Sequence, residues 1–407
     1  FTLCDCKGGG KIAHAENSSS TGMGVNLNNT SGKQQIFVMY NGCITQNKGS
    51  GVYLYQNTSF TMYGGSITKN NVDGDFGGGV YVHNGATFTM YGGDITKNKA
   101  DYGGGVSTSG DTANFTMYGG SITENHANKS GGGIYSTSNN ISIYGGSVTD
   151  NSVTKNGKAG GIYVSSSDTL TVGGNVNISG NWKGDSEESG SKNNVYLNGN
   201  TSGTSAAIVI EKELTGEEPI GVTTANAPTA GNPVTIVTGN SIEETYKDSF
   251  QADNAAYGVS YNSTDKVLQL HKHSGGTATC TEKATCADCG KEYGEKDPAN
   301  HTGKKEWTTT KTTHEQKWSC CGEVVVAKES HTFGKWVITK KATFRKDGEK
   351  TRTCEVCEYV EKATIQATGS PAKTGDDSHI GMWAGILCVS LAGIIVLVVL
   401  YKKKHKK

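Results

Sequence analysis

Three groups of residues in this sequence have the types and spacing to carry chemistry. The first is sulfur and imidazole. Cys286-Ala-Asp-Cys289 and Cys354-Glu-Val-Cys357 each set two thiols three positions apart, a spacing at which both sulfurs reach one tetrahedral ion. Cys280 with His273 or His301 would complete the set around Cys286 and Cys289, and His331 would join Cys354 and Cys357. Phe344 stands where the earlier copy has Cys280, so the later set is one ligand shorter. Between them a degraded unit holds His314 and the adjacent pair Cys320-Cys321, a poor chelating geometry. Units this small bury too little apolar surface to fold alone and need a staple. Zinc is one staple these residues allow, and disulfides, which persist outside a cell, are the other.

The second group is a pair of carboxylates. Glu124 and Asp150 continue a column begun by Lys69 and Lys97, each one residue before a recurring asparagine. If the chain coils, the two acids stand about 5 Å apart, near the separation of a retaining glycosidase pair. The column is mixed in sign and has neither a cleft nor an arginine beside it, so a solvated corner is the preferred reading. The third group is Ser370-Pro371-Ala372-Lys373-Thr374-Gly375-Asp376-Asp377, followed by an apolar run over residues 380–401 and a basic tail over 402–407. A run of that length spans a bilayer as a helix, and the basic tail keeps that end inside.

The elements that position these residues come from a repeat. Phe60-Thr-Met-Tyr-Gly-Gly-Ser-Ile-Thr-Lys-Asn70 returns from Phe88 and from Phe115, more loosely from Ile141 and Leu170, with an early copy from Phe37. Gly64, Gly92, Gly119, Gly145 and Gly173 mark a period of 26 to 28 residues, which means a solenoid. Inside each copy Phe and Met alternate with Thr and Tyr, the two-residue period of a strand. A second run precedes it, as in Val80-Tyr-Val82, and a third follows the glycines at Ile67, Ile95, Ile122 and Val148. Three short strands per turn, with no helical pattern, predict a right-handed parallel β-helix in which like residues stack about 4.8 Å apart. Pro219 is the first proline, as stacked strands that need every N–H require. Asn47, Asn70, Asn98, Asn125 and Asn151 read as an inward ladder of amides at one corner.

Residues 1–181 are therefore β-helix, and Phe1, which enters in mid-coil without a leader, reads as the cut end of a longer precursor. Residues 182–270 read as last coils and a β cap, with a hairpin around Asn262-Ser-Thr-Asp265. Residues 271–365 form a Cys/His-rich repeat stalk, 366–379 a linker, 380–401 a transmembrane helix and 402–407 a cytoplasmic tail. Lys plus Arg and Asp plus Glu balance at 38 each, so no overall charge calls for nucleic acid. The corners are too short to wall a catalytic cleft, which weighs against an enzyme. Two outward tyrosine columns are the better surface features: Tyr53, Tyr81, Tyr135 and Tyr163 on one face, and Tyr40, Tyr63, Tyr91, Tyr118 and Tyr144 on another. Such residues serve contact surfaces, or simply seal the sheet from water.

The Cys-x-x-Cys units, with the phrase His331-Thr-Phe-Gly-Lys-Trp336, resemble short repeats near the C-termini of bacterial surface proteins. Motif, span and basic tail in that order resemble the cell-wall sorting signal of Gram-positive surface proteins, whose usual pattern is Leu-Pro-x-Thr-Gly. Here Pro371-Ala372 stands in place of Leu-Pro. The resemblance implies that a sortase thiol attacks the Thr374–Gly375 carbonyl and passes the chain to a peptidoglycan amine, with Lys373 at the variable position. The sequence then reads as an extracellular, wall-anchored, non-enzymatic adhesin or scaffold that binds a glycan or host surface. The alternative is a carbohydrate-active β-helix lyase or hydrolase whose cleft lies in a missing N-terminal part.

Overall fold

A computed structural model describes residues 1–4, 10–13, 22–29, 32–199, 206–239 and 242–369. The chain divides into two compact units, residues 1–300 and 301–407. In the first, about eight coils stack as parallel strands. The repeated phrase pairs with itself in register: Phe37 with Phe60, Phe60 with Phe88, Phe88 with Phe115 and Phe115 with Ile141. Those four phenylalanines are fully buried, and their rings stack 4.7, 4.8 and 4.9 Å apart. Met39, Met62, Met90 and Met117 form the next inner column, and Ile44, Ile67, Ile95 and Ile122 the one beyond it. Each such side chain removed from water contributes about 2 kcal/mol, and identical neighbours fill the same rotamer from coil to coil.

The paired glycines turn the chain between the phenylalanine strand and the isoleucine strand. Gly93 has φ +89°, a left-handed conformation, and a Cβ there would lie 2.6 Å from the Met62 methyl. Only glycine meets both conditions. At the next corner Asn47, Asn70, Asn98, Asn125, Asn151 and Asn181 each donate a side-chain N–H to the following asparagine's Oδ1, at 2.8–3.1 Å, and the row reaches Asn194. A third face, not foreseen in the sequence, follows that corner. Lys99–Tyr102, His126–Ser130, Ser152–Val153 and Trp182–Lys183 pair in parallel as a short sheet, with Ala100, Ala127 and Val153 facing in. The fourth face is the Val-Tyr-Val run, from Val25–Leu27 to Val195–Leu197.

The stack ends on antiparallel strands. Val267–Lys272 pairs with both Tyr257–Asn262 and Val234–Thr238, which closes the open edge of the solenoid. A short ribbon, Ala284–Thr285 with Glu292–Tyr293, completes the first unit. The second unit holds two three-stranded antiparallel sheets: Lys305–Thr309, Thr313–Trp318 and Val324–Ser330, then Val337–Lys340, Gly348–Thr353 and Val360–Ile365. No helix among the described residues is long and apolar enough to cross a membrane. The motif at Pro371, Ala372, Lys373, Thr374 and Gly375 and the apolar run 380–401 lie outside the described residues.

Candidate functional site

The thiols and imidazoles gather in groups. In the first unit His271 is the penultimate residue of the strand Val267–Lys272, His273 follows the strand, and Cys286 and Cys289 flank the turn after Ala284–Thr285. Their four donor atoms lie within 4.8 Å of one another. Cys286 Sγ is 3.4 Å from His271 Nε2, and Cys289 Sγ is 3.6 Å from His273 Nδ1. The set read from the sequence is thus corrected: Cys286, Cys289 and His273 are members, His271 is the fourth, and Cys280 and His301 take no part in it. His301 meets Cys321 and Cys320 instead, with Nδ1 at 3.5 and 3.8 Å from the two sulfurs, while its Nε2 faces Glu323 at 3.3 Å. Both adjacent thiols therefore reach one imidazole.

In the second unit His331, Cys354 and Cys357 come together as the sequence indicated, and His314 fills the place left open by Phe344. His314 Nδ1 lies 3.2 Å from His331 Nδ1 and 3.9 Å from Cys354 Sγ, and Cys357 Sγ lies 3.4 Å from His331 Nδ1. The outer nitrogens are also held, His314 Nε2 by Glu329 at 3.1 Å and His331 Nε2 by the Thr310 carbonyl at 2.9 Å. Cys286, Cys289, Cys354 and Cys357 are thiols, without disulfide bonds. Burial pushes the Cys286 thiol up, yet hydrogen bonds from His273 and from the backbone of Ser274, Cys289 and Asp288 outweigh it and hold it at about 5. Cys354 behaves alike: burial raises it, and the backbone of Cys357 and Val356 with His331 bring it to about 6. Cys289 and Cys357 are pushed up, by burial first and then by the neighbouring sulfur.

The two tyrosine columns differ. Tyr53, Tyr81, Tyr135 and Tyr163 line a partly closed face on which Tyr81 and Tyr163 are only 8% exposed. Ser107 interrupts that column, and Phe76 and Tyr102 fill the gap, stacked 4.9 Å apart with Tyr102 at 4.9 Å from Tyr135. Burial pushes the Tyr163 hydroxyl up to about 12. Tyr40, Tyr63, Tyr91 and Tyr118 stand 53, 47, 48 and 44% exposed. Their rings are 5.0, 5.1 and 5.1 Å apart and within 11° of parallel. The column passes to Tyr144, whose ring lies 4.0 Å under the Lys212 ammonium and whose hydroxyl is bonded to Glu211.

The carboxylate column occupies the outer corner. Gln46, Lys69, Lys97, Glu124 and Asp150 all have φ between 55 and 58°, a left-handed turn one residue before each ladder asparagine. Glu124 is paired with Lys97 at 3.3 Å, and both side chains are half exposed. The segment after one of these corners, residues 71–76, walls an open groove of about 530 Å³ lined by Lys48, Tyr53, Asn71, Asp73 and Asp75.

A family model described as a right handed beta helix region matches residues 4–182. No curated protein and no solved structure matches the chain. With the parallel registers above, the match makes this part of the chain a right-handed parallel β-helix.

Proposed function

We propose that this protein is a non-enzymatic adhesin or scaffold of the Gram-positive cell surface, which binds an extended glycan or host surface through the exposed tyrosine face of its β-helix. The ladder from Tyr40 to Tyr118 carries this reading. Stacking fixes each ring before any ligand arrives, so little side-chain entropy is lost on binding. The ring faces are spent on one another, and the solvent meets edges and hydroxyls, one per coil, beside the outward row of Thr61, Thr89 and Thr116. A rigid row with that repeat suits a periodic polymer better than a single small molecule. Attachment rests on the sequence: sortase would cleave Thr374–Gly375 and join Thr374 to peptidoglycan. The same reading makes zinc the staple of the Cys/His-rich stalk.

A second reading draws on the groove beside Tyr53. Asp73 and Asp75 with an aromatic wall are the parts of a carbohydrate-active enzyme. A glycan array probed with the full chain, read both for retention and for new reducing ends, separates the two. Retention with the glycan intact supports the adhesin, and chain cleavage overturns it.

A further inference from the structure

The Cys/His-rich modules have almost no apolar interior. Beyond residue 271 the buried hydrophobic side chains among the described residues are Ala284, Cys286 and Cys354. Val324, Val337, Ile338, Phe344, Val356 and Val360 are exposed. The most enclosed groups are the donors themselves, His271 at 6%, His314 at 1%, and Cys286 and Cys354 at 1% each. A centre made of thiols and imidazoles holds a fold only when something binds them together.

The hydrogen bonds of the second unit say what that must be. The Thr310 carbonyl can only accept, so His331 carries its ring proton on Nε2. The Glu329 carboxylate likewise accepts a hydrogen bond from the Nε2–H of His314. Both Nδ1 atoms then present lone pairs at 3.2 Å, with two sulfurs beside them. A proton between them would satisfy one pair of these four donors, whereas a divalent cation satisfies all four. Around tetrahedral zinc, bond lengths of about 2.0–2.1 Å to nitrogen and 2.3 Å to sulfur require nitrogen pairs about 3.3 Å apart and nitrogen–sulfur pairs about 3.6 Å apart. The separations of 3.2, 3.4 and 3.9 Å here, and of 3.4 and 3.6 Å in the first unit, bracket those values. Imidazoles anchored through the far nitrogen to carboxylate or carbonyl are the usual support of such a site.

The first unit is shaped around its donors as well. Gly258 lies opposite His271 in the cap hairpin. A Cβ there would fall 2.6 Å from the His273 ring, 2.8 Å from Cys289 Sγ and 2.9 Å from the His271 ring. The strand gives up a side chain where the donors converge.

We infer that His271, His273, Cys286 and Cys289, and His314, His331, Cys354 and Cys357, form two structural Zn²⁺ sites, each bridging consecutive β modules. In the first, the imidazoles belong to the cap of the β-helix and the thiols to the ribbon 284–293. In the second, His314 belongs to the sheet 305–330 and His331 to the segment that leaves it, the thiols belong to the last turn of the sheet 337–365, and Glu355 N–H on Thr332 O and Gly334 N–H on Thr353 O tie that segment to the second sheet. Each ion is thus a rivet between neighbours rather than a core for one of them. The inference builds on zinc as the stalk's staple and is independent of what the β-helix binds.

The test uses the full chain, reduced and titrated with Zn²⁺ and with Co²⁺. Cobalt should give the visible bands of tetrahedral coordination with sulfur-to-metal charge transfer. Gly258→Ala and Cys354→Ser should each lose one equivalent of bound metal, and the double variant two. Chelation should open protease cleavage at 273–284 and 331–337 while the β-helix coils stay resistant and glycan retention stays unchanged. Failure of the reduced chain to take up either metal, or Cys286–Cys289 and Cys354–Cys357 disulfides in the isolated protein, overturns the sites. Metal uptake that leaves the cleavage pattern unaltered overturns the bridging role alone.

Discussion

Asn194 donates its backbone N–H and its side-chain amide to the two oxygens of Asp253, at 2.9 and 2.7 Å, and so ends the asparagine ladder on a half-buried carboxylate. Thr223 adds a third donor at 2.8 Å. All amides of the row point their donors the same way, so the last one needs an acceptor that is not another asparagine. Asp253→Ala would strand three donors and should cost about 3 kcal/mol in denaturant unfolding. Asp253→Asn, which keeps one acceptor oxygen, should cost about 1 kcal/mol. Equal losses would show that the end of the ladder contributes nothing through its charge.

Ser107 replaces tyrosine in the half-closed column, is fully buried, and its hydroxyl has no hydrogen-bond partner. Removing an unpaired hydroxyl leaves packing almost untouched and relieves its desolvation. Ser107→Ala should therefore raise stability by up to about 1 kcal/mol, and a fall of the same size would mean the hydroxyl is satisfied in solution.

Burial, with Asp111 nearby, pushes the Asp168 carboxyl up to about 6. An unfolded aspartate titrates near 3.9, so between about pH 4 and pH 6 the folded chain holds more protons than the unfolded one. Stability through this group therefore falls as pH rises across that window. The slope of unfolding midpoint against pH across this window should be less negative in Asp168→Asn than in wild type, and an unchanged slope would place the titration elsewhere.

Much of this was legible in the sequence, and the reasons are local. Phe60, Met62, Ile67 and Asn70 recur with identical neighbours, so register and inward face follow from the repeat. The face formed by Lys99–Tyr102 and its stacked partners was hidden because each strand shows one small apolar residue among polar ones, which reads as a corner. Phe76 and Tyr102 likewise close the gap at Ser107 from a segment with no repeat of its own. His314 and Cys354 are forty residues apart, a separation at which spacing says nothing about contact. Composition put His271 at the start of the stalk, whereas it lies within the cap strand Val267–Lys272 and its ring belongs to the donor set.

Anchoring is read from residues outside the described structure and is tested on cells. Thr374→Ala should leave the protein in the membrane fraction with its basic tail, and deletion of residues 380–407 should release it to the medium. Wild type should resist detergent and appear after muramidase digestion, ending at Thr374. Detergent release of intact wild type with Lys407 in place would make the apolar run the permanent anchor.

The central claim is that the exposed tyrosine row holds a polymer without cutting it. The direct measurement is retention of the full chain on the glycan it prefers, comparing wild type with Tyr63→Ser and Tyr91→Ser, alongside reducing ends released into solution. Both positions are half exposed, so the variants should fold as wild type does, with stability changed by about 1 kcal/mol or less. The account predicts at least tenfold weaker retention for each variant and no new reducing ends with any of the three. Undiminished retention in both variants, or reducing ends that accumulate with wild type, would contradict it.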